Sequence, residues 1–136
     1  MTNVFTLNDQ NFLSQFEACT LDPTHFDHLG HIRLGWLYAT QNPLPEAIRK
    51  TCDGIQRYAD SLGADDKFHY TLTEAFVRLI ALRQANTQAS RFDQFLEQNT
   101  DIVDNALALI HRHYSEGLLK TDEAKTRSVA PDLLPL

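Results

Sequence analysis

The sequence predicts an all-α single domain. Apolar residues recur at helical spacing along most of the chain, β-branched alternation of the strand type is nearly absent, and the 5 glycines and 5 prolines punctuate the periodic stretches. With 136 residues, 43% of them hydrophobic and 22% charged, the chain is long enough to bury a core without staples.

The elements follow in order. A first helix is expected over about 8–18, with Phe12, Leu13 and Phe16 on its apolar side and Asp22-Pro23 breaking the pattern after it. A second covers about 27–40 and stops at Asn42-Pro43. A third begins near Pro45, carries the stripe Ile48, Cys52, Ile55, Ala59 and Leu62, and ends at Gly63, a natural C-terminal cap. The fourth spans about 69–85 with Phe76, Val77, Leu79 and Ile80 inward. A short fifth covers about 91–98 with Phe92 and Phe95. A sixth covers about 101–114 and buries Val103, Ala106, Leu107 and Ile110. Beyond Tyr114 the period weakens. Residues 115–117 read as a turn and 121–125 as one or two helical turns. Residues 130–136, rich in leucine and interrupted by Pro131 and Pro135, read as an extended tail packed on the bundle. The expectation is one domain over 1–136, a bundle of about five or six helices.

Charge and composition exclude several partners. A formal net charge of -6 spreads 12 basic residues among 18 acidic ones, whereas nucleic-acid binding needs clustered Lys and Arg. An anionic membrane surface is disfavoured for the same reason, and no apolar run is long enough to span a bilayer. The first 16 residues lack the basic start and continuous apolar core of a signal peptide. Cys19 and Cys52 lie far apart in apolar helical patterns, which points to small buried residues in a reducing cytoplasm, not to a disulfide framework.

Six histidines stand at 25, 28, 31, 69, 111 and 113. His28 and His31 are one turn apart on the second helix, a spacing that lets two imidazoles meet one metal ion. At about 100° per residue, His28 shares its sector with Ile32, Gly35 and Ala39; His31 and Tyr38 flank one side, Trp36 the other, and Asp27, Gly30 and Leu34 face away. Both histidines are thereby placed on an inward stripe. Gly35 on that stripe leaves room for a ligand or lets a helix approach closely. His69 aligns with Thr73, Phe76 and Ile80, so a bundle would set it opposite the first two. Thr73 is placed to bond a ligand or the His69 carbonyl. Tyr114 sits mid-face beside Val103 and Ile110, where its hydroxyl needs a partner. Arg33 projects about 140° from His28 and is expected to pair with an acid, with Asp132 in the tail as candidate. His25, His111 and His113 rank behind as ligands.

Four segments in this order resemble a family of small bacterial all-helical proteins: F-x-H-x-x-H-I-R-L-G-W-L-Y over 26–38, F-H-Y-T-L-T over 68–73, His113-Tyr114-Ser115, and P-D-L-L-P-L over 131–136. Members tend to carry F-x-H-x-x-H-[VIL]-R-x-A-W early, Y-H-x-T-x-T in mid-chain, and Y-[YH]-S then P-D-L-x-P-L near the end. Gly35 stands in place of the usual Ala and Phe68 in place of the usual Tyr. The resemblance implies a shared set of His28, His31, Arg33, Trp36, His69, Thr71, Thr73, Tyr114 and Asp132, and no particular reaction.

The functional expectation is a metalloenzyme acting on a small molecule. His28, His31 and His69 would hold one transition-metal ion, iron, copper or zinc, and leave coordination positions open. Thr73, Tyr114, Arg33, Trp36 and Asp132 would surround that ion or the substrate. Zinc would acidify water for hydrolysis, and iron or copper would activate dioxygen. Trp36, Tyr38 and Tyr114 tilt the reading toward oxidoreductase chemistry if they line the same interior. The alternatives are a non-catalytic metal-binding or sensory module and a metal-free helical interaction protein.

Overall fold

The computed structural model describes residues 7–136; the expectations that touch 1–6, the start of the domain and the absence of a leader, lie outside the described residues. Eight α-helices are described: α1 Asp9–Glu17, α2 His28–Gln41, α3 Leu44–Ser61, α4 Tyr70–Thr87, α5 Phe92–Gln98, α6 Thr100–Ile110, α7 Glu116–Leu119 and α8 Asp122–Thr126. Two 3₁₀ turns, Pro23–His25 and Asp65–Lys67, lie before α2 and α4. The residues described contain no strand. None of their helices is long and apolar enough to cross a membrane.

Local chemistry sets the ends. Asn8, Asp27, Ser115 and Thr121 cap α1, α2, α7 and α8 by accepting a backbone N–H two or three residues into each helix. Gly63 follows α3 in the left-handed region at φ +71°, where a Cβ would be strained. Residues 115–117, read as a turn, are instead the cap and start of the short α7, because the Ser115 side chain accepts from Leu118 N–H.

The bundle is built on α2, α3 and α4, which pack on one another; α6 lies against α4 and α2, α1 against α3, and α8 against α4. Phe12, Phe16, Ile32, Leu34, Val77, Ile80, Phe95 and Ile102 are buried in the main core. Ala75, Ile110 and Tyr114 form a second cluster beneath Leu118, Leu119 and Leu136. Burial of this apolar surface is the main stabilising term.

α2 departs from the amphipathic projection. Every residue from Ile32 to Tyr38, and Gly30 before them, is buried, so Leu34 and Gly30 do not face away. The reason is its central place, with neighbours on all sides; a helix covered all round has no solvent face. Arg33 is 3% exposed and donates to Asp9 and to the Leu7 carbonyl, with its guanidinium carbon 4.7 Å from the Phe12 ring centre. Its acid is Asp9, not Asp132.

Gly35 lets helices approach: a Cβ there would stand 2.9 Å from Ile80 Cδ1. α6 carries a kink at Asn105, whose side chain accepts from Ala108 N–H. Past that kink Leu107, expected inward, is half exposed while Ile110 stays buried.

The C-terminal segment packs on the bundle as expected. Leu133 N–H donates to the His113 carbonyl, His113 Nδ1 to the Leu134 carbonyl, and Asp132 accepts from both the backbone and the hydroxyl of Ser115.

Candidate functional site

A cleft of about 380 Å³ opens where the N-terminal turn of α2 meets α3, α4 and α6. α2 contributes His28 and His31, and α3 contributes Thr51 and Ile55. His69, Leu72, Thr73 and Phe76 form the wall along α4, and Ala106, Leu107 and Ile110 close the α6 side. Lys67 and Phe68 stand on the segment entering α4. The three histidines, separated by 38 residues between His31 and His69, therefore line one space.

Their ring nitrogens are committed differently. His31 Nδ1 donates to the Asp27 carbonyl at 2.8 Å, in the turn that Asp27 caps, so Nε2 is the nitrogen with a free lone pair. The ring stacks on Phe26 with centroids 4.0 Å apart. Burial, reinforced by the nearby His28, holds its pKa below the ordinary imidazole value, so His31 stays neutral.

His28, the first residue of α2, is exposed and does not sit at the centre of a buried stripe. Its Nε2 donates to the Ile102 carbonyl at 3.2 Å, and its ring centre lies 6.1 Å from that of Phe76. Nδ1 keeps its lone pair.

His69 is the N-cap of α4. Its Nδ1 accepts from Leu72 N–H at 3.0 Å and its Nε2 donates to the Leu119 carbonyl at 2.7 Å. Both nitrogens are used, and neither presents a lone pair to the cleft. Among the described residues no group of three or more His, Cys, Asp or Glu is placed to hold a metal.

The other candidates fall into structural work. Thr73 Oγ1 donates to the His69 carbonyl at 2.7 Å, the backbone alternative foreseen for it. Thr71 Oγ1 donates to the Arg127 carbonyl and accepts from Val129 N–H. The F-H-Y-T-L-T segment thus ties the C-terminal arm to α4 through His69 and Thr71. Trp36 Nε1 donates to Gln84, and its ring packs near Phe92 and Phe95. Tyr38 donates to Glu17. Tyr114 is buried in the second cluster. The aromatic side chains that line the cleft are Phe68 and Phe76, so the premise of a Trp36, Tyr38 and Tyr114 interior is corrected. Asp132 is engaged with Ser115 and lies outside the cleft lining.

Lys67 carried no signal in the sequence, because it belongs to no helical face, and Phe68 stood out only as a position of the F-H-Y-T-L-T segment. Glu74, one residue beyond Thr73, is buried with Oε2 paired to Arg78, while Oε1 has no hydrogen-bond partner among the described residues.

No family model matches the chain, and no curated protein or solved structure is similar to it, so the family likeness rests on the four sequence segments alone.

Proposed function

We propose that the chain binds a small molecule in this cleft and that His28 and His31 hold one transition-metal ion there. The observation that supports the reading is His31. Its Nδ1–H is fixed on a backbone carbonyl and its neutral Nε2 is left bare, the orientation that metal-ligating histidines use. His28, one turn earlier, adds a second lone pair at Nδ1. Two imidazoles leave several coordination positions to water or substrate, which suits iron, copper or zinc.

His69 stands outside this pair, since coordination would cost the cap of α4 or the bond to Leu119. With Trp36, Tyr38 and Tyr114 elsewhere, the cleft no longer favours redox over hydrolytic chemistry. A metal-free binding module is the second reading, favoured by the two engaged nitrogens of His69.

Elemental analysis after reconstitution with each ion tests the first reading. Wild type is expected to retain about one ion per chain. His28→Ala and His31→Ala are expected to lose it. His69→Ala is expected to keep it while losing about 2 kcal/mol of stability from the cap and the Leu119 bond, read by urea unfolding. Wild type without metal sinks the metal reading and leaves the second. Metal loss in a folded His69→Ala restores ligation by all three.

A further inference from the structure

Resting on the cleft as the functional site, we infer that its ligand is a small, largely apolar carboxylate whose anionic end lies against Lys67. The chain carries a formal net charge of -6, yet among the described residues the cleft lining holds no Asp or Glu side chain. Its charged member is Lys67, which makes no ion pair among the described residues. An ammonium that makes no ion pair among the described residues, at the edge of a cleft whose described lining carries no carboxylate, offers an anion a local partner.

The remaining walls are hydrocarbon: Ile55, Phe68, Leu72, Phe76 and Ile110 face the same space. The two threonine hydroxyls donate to carbonyls of their own chain, Thr51 to Ala47 and Thr73 to His69, so they offer the ligand no free proton. Lys67 is therefore the strong donor of the cleft. The lone pairs of His28 and His31, on the α2 side, are left for the metal or for a donor elsewhere on the ligand. A volume of about 380 Å³ accommodates an aryl or medium-chain acid. A polyanion finds one cation only and is poorly matched.

Nitrogen-labelled protein, as purified and after chelation, is titrated with phenylbutyrate and with its neutral amide while backbone NMR shifts are followed. The acid is expected to shift Leu72, Phe76 and Ala106 and to bind about five-fold more tightly than the amide, the size of one solvent-exposed ion pair. Lys67→Gln is expected to erase that difference and Lys67→Arg to keep it; Lys67 is exposed, so neither change threatens the fold. An amide that binds as tightly as the acid overturns the inference, as does Lys67→Gln binding the acid undiminished, or an acid that does not bind. Shifts confined to residues away from the cleft overturn the cleft as the site as well. Metal retention by His28 and His31 is measured independently, so the two readings fail separately.

Discussion

His31 and His69 differ in one respect that decides their chemistry: the partner of each ring nitrogen. His31 spends one nitrogen on a carbonyl in its own helical turn and faces the cleft with the other, whereas His69 spends both on backbone groups, one of them 50 residues away. Spacing places a histidine on a face and says nothing of a carbonyl from α7. Cys52 shows the same dependence on surroundings. It is 1% exposed, and burial, with Glu74 nearby, pushes its thiol up to about 12. At pH 8 it is therefore almost wholly protonated and shielded. Thiol titration with a disulfide reagent is expected to count Cys19, which is partly exposed, in the native protein, and to count Cys52 only after denaturation. Two thiols reacting at equal rates in native protein would contradict this. The reading of Cys52 as a small buried residue was available from its stripe in α3. Cys19, expected to be buried as well, is partly exposed, because it lies just past the end of α1 at φ +59°.

Helices are legible where one face is wet. α3 keeps its stripe through Ile48 and Cys52 to the half-buried Ile55 and Ala59, while Leu62, expected on it, lies past the last turn and is half exposed; the expected and observed limits agree to within a few residues. α2 misled, because whether a helix is covered on one side or on all sides depends on how many neighbours arrive. Its two glycines measure that crowding. A Cβ at Gly30 would meet the His25 backbone oxygen at 2.2 Å, and one at Gly35 the end of the Ile80 side chain at 2.9 Å. Backbone cannot yield as a methyl group can. Gly30→Ala is expected to destabilise by about 2 kcal/mol or more, since the 3₁₀ turn before α2 must move. At Gly35→Ala the helix propensity gained, about 1 kcal/mol, offsets a small shift of Ile80, leaving a change near zero. Urea midpoints of the two variants check the contrast, and equal losses would contradict it.

In the whole molecule, the C-terminal arm closes the fold over α4. Arg127 and Val129 bond Thr71, Leu119 bonds His69, and Asp132 bonds Ser115. Residues 131–136 add the Leu133 bond to His113 and the packing of Leu136 on the second cluster. Truncation after Ala130 is expected to cost about 2 kcal/mol, from four lost hydrogen bonds, largely exposed, and a lost apolar contact. Thermal unfolding unchanged by the truncation would show that the tail merely lies on the surface. Since His69 and Thr71 hold the arm upstream of the cut, the cleft lining is expected to survive it, read as unchanged NMR shifts for Leu72 and Phe76.

The all-helical class, six of the helices and their order, and the packing of the tail were legible in the sequence alone. Those features follow from periodicity, caps and breakers, which act over a few residues. Packing settles the rest: α2 is covered all round, Arg33 pairs with Asp9, His69 is a cap and not a bare ligand, and Lys67 stands beside the cleft. Each depends on which distant backbone group or side chain arrives to satisfy a buried polar atom, and that choice is made by packing, not by spacing.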